Sequence, residues 1–239
     1  MPIIDRLVEY HDGSTLLEGY FAYPHDLRDD KPAVLIVHMW AGRIEFVCEQ
    51  ARRLANLGYP AYALDMYGKD IRGSNNEENA RLMQPFIDDR GFLLQRMGCG
   101  LQSMQDQTEA GGRPIVAIGY CFGGLCVLDL ARAGADVAGV VSVHGLLDPP
   151  RGDRTKKITS KVLALQGACD PLADLDMLTQ LQKELTLADA DWQTIVYSHA
   201  KHAFTNPAAN NEQAGTVYHP PSEQRAWRAI LNFLAECSA

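Results

Sequence analysis

The chain has 239 residues, a length common for one α/β domain, and a formal net charge of −8. Its acidic and basic residues are intermixed, which argues against nucleic acid or an anionic membrane as a partner. Six cysteines show no CxxC pair and no framework spacing, as in proteins of a reducing compartment. No signal-like or membrane-spanning apolar run occurs, so we expect a cytoplasmic protein with one domain over residues 1–239.

The N-terminal residues alternate between polar and apolar side chains. Segments 3–10 and 15–23 are predicted strands, and the turn-forming sequence His-Asp-Gly-Ser between them predicts an antiparallel hairpin. A polar connection precedes the next apolar segment, which begins at Ala33.

After this hairpin, short apolar runs alternate with longer stretches of helical periodicity. The predicted strands are 33–38, 60–64, 113–118, 137–143, 161–166 and 192–198. The predicted helices are 43–57, 77–87, 91–110, 122–133, 173–187 and 221–237, and 148–159 is a polar connection. This order predicts an α/β fold: a mostly parallel twisted sheet with helices on both faces and the antiparallel hairpin at one edge.

The strand ending near Ile118 leads into a Gly-x-Cys-x-Gly turn and then directly into a helix. Gly119 and Gly123 let the backbone pass close to a strained residue, Cys121, at the tip of the turn. Such a nucleophile elbow exposes one side chain above the sheet and aims the amide of Phe122 at the same space. Cys121 is therefore the candidate nucleophile, although a buried cysteine in a glycine-rich turn is the alternative.

A catalytic thiol needs a base, and the base needs a group that orients it. Asp170 follows the strand 161–166, and His202 lies in the loop after the strand 192–198. The order nucleophile, acid, base is the order of α/β-hydrolases. Asp170 before a proline also fits a plain turn residue, and His199 competes as the base. We favour His202, because His199 lies at the end of the strand itself. We predict no metal and no cofactor, since no third ligand accompanies the two histidines at a suitable spacing.

A second oxyanion donor is expected in the loop after the strand 33–38. We predict that the backbone N–H groups of Trp40 and Phe122 hold the oxyanion. Residues at strand ends are predicted to line a largely apolar substrate pocket. These substrate-binding candidates are Met39, Tyr67, Tyr120, His144 and Phe204.

Three segments together resemble the dienelactone hydrolase family of the α/β-hydrolase superfamily. They are Gly-Tyr-Cys-Phe-Gly-Gly at 119–124, Asp170-Pro171, and His-Ala-Phe at 202–204. The resemblance covers nearly the whole chain. It implies a triad of Cys121, His202 and Asp170 that cleaves an ester or lactone through an acyl-thiol intermediate. We expect a monomer or homodimer that acts on a small-molecule substrate.

The chain departs from that family at two positions. Met39 stands where a glutamate usually keeps the resting thiol neutral, and Asn206 stands where an arginine binds a substrate carboxylate. Without the glutamate, we expect a thiolate–imidazolium pair at rest. The apolar pocket favours neutral esters, although Arg43, Arg72 and Arg81 are alternative carboxylate ligands.

Two other functions remain open on the sequence, and a third is disfavoured. A thiolate with an oxyanion site is also suited to activated aryl esters or phosphotriesters as a side activity. A non-catalytic protein that binds a ligand in the same pocket is a second alternative. Class I glutamine amidotransferases share the Gly-x-Cys-x-Gly turn, but their Gly-x-Gln and His-x-Glu sequences are absent here.

Overall fold

A computed structural model describes residues 2–151 and 157–238. Residues 152–156 of the predicted connection 148–159 lie outside the described residues.

The strands and helices follow the predicted order, with bounds that shift by a few residues. The strands of the main sheet are β1 (Ile3–Asp12), β2 (Thr15–Pro24), β3 (Ala33–Val37), β4 (Ala61–Ala63), β5 (Ile115–Tyr120), β6 (Gly139–Val143), β7 (Lys161–Gly167) and β8 (Trp192–Tyr197). The helices are α1 (Glu45–Asn56), α2 (Asn76–Asp88), α3 (Arg90–Gln105), α4 (Phe122–Arg132), α5 (Leu175–Leu187) and α6 (Pro220–Glu236). Two short strands, β9 (Asn210–Asn211) and β10 (Thr216–Val217), form a separate small sheet that the sequence did not predict.

The eight strands of the main sheet are hydrogen-bonded in the order β1-β2-β4-β3-β5-β6-β7-β8. β1 pairs with β2 and β2 with β4 in the antiparallel sense. β3 pairs with β4, β6 with β7, and β7 with β8 in the parallel sense. The predicted mostly parallel sheet with an antiparallel N-terminal hairpin is therefore confirmed.

The chain divides into two compact units, one running to Ala117 and resuming at Cys237, the other formed by Ile118–Glu236. The first unit contains the hairpin, β3, β4 and helices α1 to α3. Helix α1 buries one apolar face that includes Val47, Ala51 and Leu54, as its periodicity predicts. Whether residues 1–239 behave as a single domain stays a prediction.

Helix α3 ends at Gln105, five residues before the predicted end at Ala110. Residues 106–111 form successive turns instead, with Gln107 N–H donating to Met104 O and Ala110 N–H to Gln107 O. Gly100 lies within α3, where close packing favours glycine. A Cβ at this position would lie 3.1 Å from the Leu64 side chain.

The second unit is built around α4, in which every residue except Arg132 is buried. The strands β6 and β7 are also almost entirely buried, as expected for parallel strands covered by helices. α5 buries one face, with Leu178, Leu181 and Leu185 pointing inward. Among the described residues, no helix is long and apolar enough to cross a bilayer.

Candidate active site

Cys121 lies between β5 and α4 in a backbone conformation that side chains rarely adopt, with φ of 54° and ψ of −114°. Hydrogen bonds fix both sides of the residue. Its N–H donates to Val143 O at 3.1 Å, and its carbonyl accepts from Gly124 N at 2.9 Å and Leu146 N at 3.2 Å. Surrounding structure therefore holds the strained turn in place, as at many active sites.

The glycines of the turn are required by close packing. A Cβ on Gly119 would lie 1.9 Å from the carbonyl oxygen of Gly123, so only glycine fits there. A Cβ on Gly124 would lie 2.6 Å from Ser142 Oγ, so the start of α4 also approaches β6 closely. The structure thus has the strand-to-helix turn that the sequence predicts, but the expected exposure of the side chain at its tip is wrong, because Cys121 is only 8% exposed.

Asp170 is buried just after β7, and its carboxylate accepts four hydrogen bonds. Oδ2 accepts from His202 Nδ1 at 2.9 Å and from the Gln166 side-chain amide at 2.8 Å. Oδ1 accepts from the backbone N–H groups of Leu172 at 2.9 Å and Ala173 at 3.2 Å. These donors satisfy a buried charge that would otherwise be costly, and they fix the direction of the oxygen that contacts His202.

The ring of His202 is 2% exposed. Burial favours its neutral form, but the charge of the Cys121 sulfur and the hydrogen bond to Asp170 outweigh burial and raise the pKa of His202 to about 10. Nε2 is buried and has no partner of ordinary hydrogen-bond length and angle within the described residues, although a looser hydrogen bond between His202 and the Cys121 sulfur also raises the pKa of His202. Such looseness is common between a nucleophile and its base before substrate binds.

The backbone of His202 is paired with the segment that leads into β10. His202 N–H donates to Gly215 O at 2.9 Å, and Val217 N–H donates to His202 O at 3.0 Å. Thr216 forms an isolated parallel bridge with His202. A Cβ on Gly215 would lie 2.3 Å from the Pro171 ring, so the loop after β7 packs against the same segment.

His199, the competing base, lies in a different environment. It is exposed and has a positive φ of 67°, in the turn where Ala200 N–H donates to Ser198 O. Its ring forms no hydrogen bond within the described residues, whereas the ring of His202 contacts Asp170.

His144 follows β6 with a φ of 38° and is fully buried. Its Nε2 is 2.7 Å from Thr205 Oγ1, and its ring meets the edge of the His202 ring at a centroid distance of 5.4 Å. Burial and the neighbouring His202 lower the pKa of His144 well below its usual value. A neutral imidazole therefore packs beside the candidate base.

The other aromatic candidates of this unit surround His144. Its ring lies 5.2 Å from that of Phe204 and 6.0 Å from that of Tyr120. Phe204 and Phe122 are completely buried, and Tyr120 is 3% exposed. Their predicted contact with substrate stays a prediction.

Met39, Trp40 and Tyr67 belong to the first unit. The Tyr67 hydroxyl donates to Trp40 O at 3.0 Å, and Gly73 N–H donates to Ala41 O at 3.0 Å. The loop after β3 is therefore held by hydrogen bonds to its carbonyl groups. Tyr67 and Met39 are buried, whereas Trp40 is partly exposed.

Sequence reasoning missed two polar residues beside the triad. Gln166 donates to Asp170 and to Ala173 O, and Thr205 contacts His144. An amide in an otherwise apolar buried strand was the available signal for Gln166. Within residues 2–151 and 157–238, no cluster of three or more His, Cys, Asp or Glu side chains is arranged to hold a metal ion.

Several known proteins are similar to this chain in sequence or in structure. The crystal structure of a dienelactone hydrolase-like promiscuous phosphotriesterase from metagenomic libraries has a TM-score of 0.94 and 32% identity, with 100% of each chain covered. A protein of Saccharolobus solfataricus named as a carboxymethylenebutenolidase is 24% identical, covering 98% of this chain and 100% of its own. An uncharacterised Caenorhabditis elegans protein is 30% identical over 64% of this chain and 98% of its own.

These likenesses confirm the predicted α/β-hydrolase fold. The model of one hydrolase family, described as the dienelactone hydrolase family, matches residues 17–238. This chain belongs to the dienelactone hydrolase family.

Proposed function

We propose that the protein hydrolyses carboxylic esters or lactones with a triad of Cys121, His202 and Asp170. The observation that carries the proposal is the buried 2.9 Å hydrogen bond between His202 Nδ1 and Asp170 Oδ2. The strained turn at Cys121, whose sulfur charge raises the pKa of His202, adds support. Together these features give a nucleophile, a base and a group that orients the base.

In the first half of the reaction, the thiolate of Cys121 attacks the ester carbonyl. A C–S bond forms, and the carbonyl π electrons move to the oxygen. The N–H groups of Phe122 and Trp40 stabilise this oxyanion. When the intermediate collapses, the C–O bond to the leaving group breaks and the His202 imidazolium gives its proton to the departing alkoxide.

In the second half, neutral His202 accepts a proton from water, and the resulting hydroxide attacks the thioester carbon. The C–S bond breaks, the carboxylic acid leaves and the thiolate is restored. Asp170 holds the ring through Nδ1, so that Nε2 exchanges the protons in both halves. The raised pKa of His202 favours the imidazolium form that later protonates the leaving group.

The substrate class that we propose is a neutral or aromatic acyl ester. Asn206 Oδ1 accepts from Ala208 N–H, so this side chain serves a local turn. Arg43 pairs with the buried carboxylate of Glu18, and Arg72 donates to backbone carbonyl groups. The pairing of Arg43 and the role of Asn206 support a substrate without a carboxylate.

The test compares wild type with Cys121→Ala on p-nitrophenyl esters, thioesters and small lactones. We expect kcat/KM to fall by about three decades or more, because the nucleophile is lost. Cys169→Ala is the matched control, because Cys169 is an exposed thiol next to Asp170. Wild-type rates for Cys121→Ala would reject the proposal, and retained ligand affinity without any turnover in wild type would instead support a non-catalytic binding protein.

A second candidate activity is hydrolysis of activated phosphotriesters at the same triad. The similar structure that is 32% identical over its whole length is titled a promiscuous phosphotriesterase, which favours this possibility. The thiolate would displace the aryl oxide from phosphorus, and water would then release the phosphodiester. Turnover of an aryl diethyl phosphate that disappears in Cys121→Ala would support it, and no turnover by wild type would remove it.

A further inference from the structure

His38 directly follows β3 and is completely buried, and both of its ring nitrogens have backbone partners. The Met66 N–H donates to Nε2 at 3.1 Å, so Nε2 carries no proton. Nδ1 therefore carries the proton and donates to Met39 O at 2.6 Å. Burial lowers the pKa of His38 to about 4, so the ring stays neutral at physiological pH and keeps this tautomer.

The carbonyl that accepts this hydrogen bond belongs to the peptide group between Met39 and Trp40. Met39 O and the Trp40 N–H are opposite ends of the same planar peptide unit. Met39 O also accepts from Gly42 N–H at 3.1 Å, and Gly42 has a φ of 94° that suits the tight turn. Two donors on one carbonyl fix the plane of the peptide, and the N–H then points the opposite way.

The Trp40 N–H itself makes no hydrogen bond within the described part of the chain. The following peptide is held through Trp40 O by Tyr67, and the next through Ala41 O by Gly73. The carbonyl groups of residues 39–41 thus all accept hydrogen bonds, whereas the Trp40 N–H donates none within the described residues. Hydrogen bonds to a carbonyl also polarise its peptide group and strengthen its N–H as a donor.

We propose that His38 is a positioning residue that orients and polarises the peptide group 39–40, so that the Trp40 N–H acts as an oxyanion donor. The inference rests on the proposed ester hydrolysis and names one part of its machinery. His38 acts only through the peptide and touches no reacting atom. Its contribution belongs to the step in which negative charge develops on oxygen.

Two substitutions separate this role from a merely structural one. The side-chain amide of His38→Asn can donate from the place of Nδ1 and keeps the bond to Met39 O. The longer side chain of His38→Gln can accept the Met66 N–H from the place of Nε2 and loses the bond to Met39 O. Each variant therefore removes one of the two hydrogen bonds, and their thermal unfolding curves show how far each bond supports the fold.

We expect His38→Gln to lower kcat by about tenfold or more with KM nearly unchanged, because the donor is misaligned in the transition state. His38→Asn should keep kcat within about threefold of wild type. An aryl trifluoromethyl ketone gives a second readout, since the thiolate adds to its carbonyl and leaves an alkoxide. Its affinity should fall in His38→Gln by the same factor as kcat.

Alkylation of Cys121 by iodoacetamide is the internal control, because this displacement forms no oxyanion. Mass spectrometry follows Cys121 separately from the exposed Cys169. The alkylation rate should be equal in wild type and both variants, and kcat is normalised to the fraction of alkylatable Cys121, which corrects for misfolded protein. Equal losses of kcat in both variants, or no loss in His38→Gln, would overturn the inference. Failure of the hydrolase proposal is seen separately, as activity that survives Cys121→Ala.

Discussion

His38 and His202 are both buried histidines in segments that follow strands of the main sheet, yet their pKa values shift in opposite directions. Burial lowers the pKa of His38 to about 4, because its partners are a neutral N–H and a neutral carbonyl. The pKa of His202 rises to about 10, because burial is outweighed by the sulfur of Cys121 and by Asp170. The charge of the partners, more than burial, decides whether a histidine here holds a second proton.

This difference matches the two tasks that we propose. A residue that orients a peptide group must keep one tautomer at every working pH, and a low pKa ensures this for His38. A residue that gives a proton to a leaving group must hold that proton before the reaction, and a high pKa ensures this for His202. In these proposals, one buried histidine orients a peptide group and the other carries a proton.

The largest expected effect comes from making the surroundings of His202 more like those of His38. Asp170→Asn replaces the charged partner of Nδ1 with a neutral one, so we expect kcat/KM to fall by about a hundredfold or more. The decline of kcat/KM at alkaline pH, expected near pH 10 in wild type, should move to lower pH. Initial rates from pH 5 to 10.5 measure both effects.

Asp174→Asn is the matched control, because Asp174 carries an exposed carboxylate that caps α5 by accepting from Met177 N–H. Its pH profile should follow that of wild type. An Asp170→Asn profile with the wild-type alkaline limb would contradict the charge argument.

A smaller effect is expected in the pH dependence of stability. The raised pKa of His202 adds stability that is complete below pH 6.5 and is lost as pH rises through about 10. The lowered pKa of His38 contributes stability to the fold at the acid end. This contribution is present above pH 6.5 and is lost as pH falls through about 4. Each slope corresponds to about 1.4 kcal/mol per pH unit for one proton.

Urea unfolding at several pH values tests this pair of slopes. His202→Asn should flatten the curve between pH 6.5 and 10, and His38→Asn should flatten it between pH 4 and 6.5. His144 also has a lowered pKa and leaves part of the acid-side slope in every variant. Variants that flatten the same side of the curve would refute the contrast between the two histidines.

The smallest effect on activity is expected for Thr205→Val. This change removes the hydroxyl that contacts His144 Nε2, and His144 Nδ1 already lacks a partner within the described residues. We expect the free energy of unfolding to fall by about 1–3 kcal/mol, because a buried polar group loses its bond. kcat/KM should change by no more than a few fold, since the ring of His144 still packs against His202. A loss of activity as large as that of Asp170→Asn would show that His144 takes part directly.

Much of the fold and the candidate triad could be predicted because their signals are local. Apolar runs and helical periodicity gave nearly every element, and Cys121, Asp170 and His202 each follow a strand whose position the pattern gives. The amide of Gln166 in an apolar strand did not show which residue it contacts, and Thr205 carried no signal, because the importance of both depends on which side chains the fold brings beside them. The contact of His38 with the next residue's carbonyl depends on backbone torsions that composition does not reveal.

The small sheet shows the limit of pattern reading most clearly. β9 and β10 have two residues each, too few for any alternation to be recognised. The predicted end of α3 was wrong because the residues after Gln105 form turns in which i→i−3 and i→i−4 hydrogen bonds are mixed, and the side-chain pattern does not distinguish such turns from a helix.

Backbone hydrogen bonds to Gly215 and Val217 join His202 to the segment that carries β9 and β10, two strands of two residues each. Segments with few backbone bonds open more readily than the strands of a central sheet. We therefore expect mild denaturant to abolish catalysis by opening the segment that carries β9 and β10, while the helices and the main sheet remain folded. The useful lifetime of the protein in solution would then depend on how often this segment opens rather than on unfolding of the main sheet.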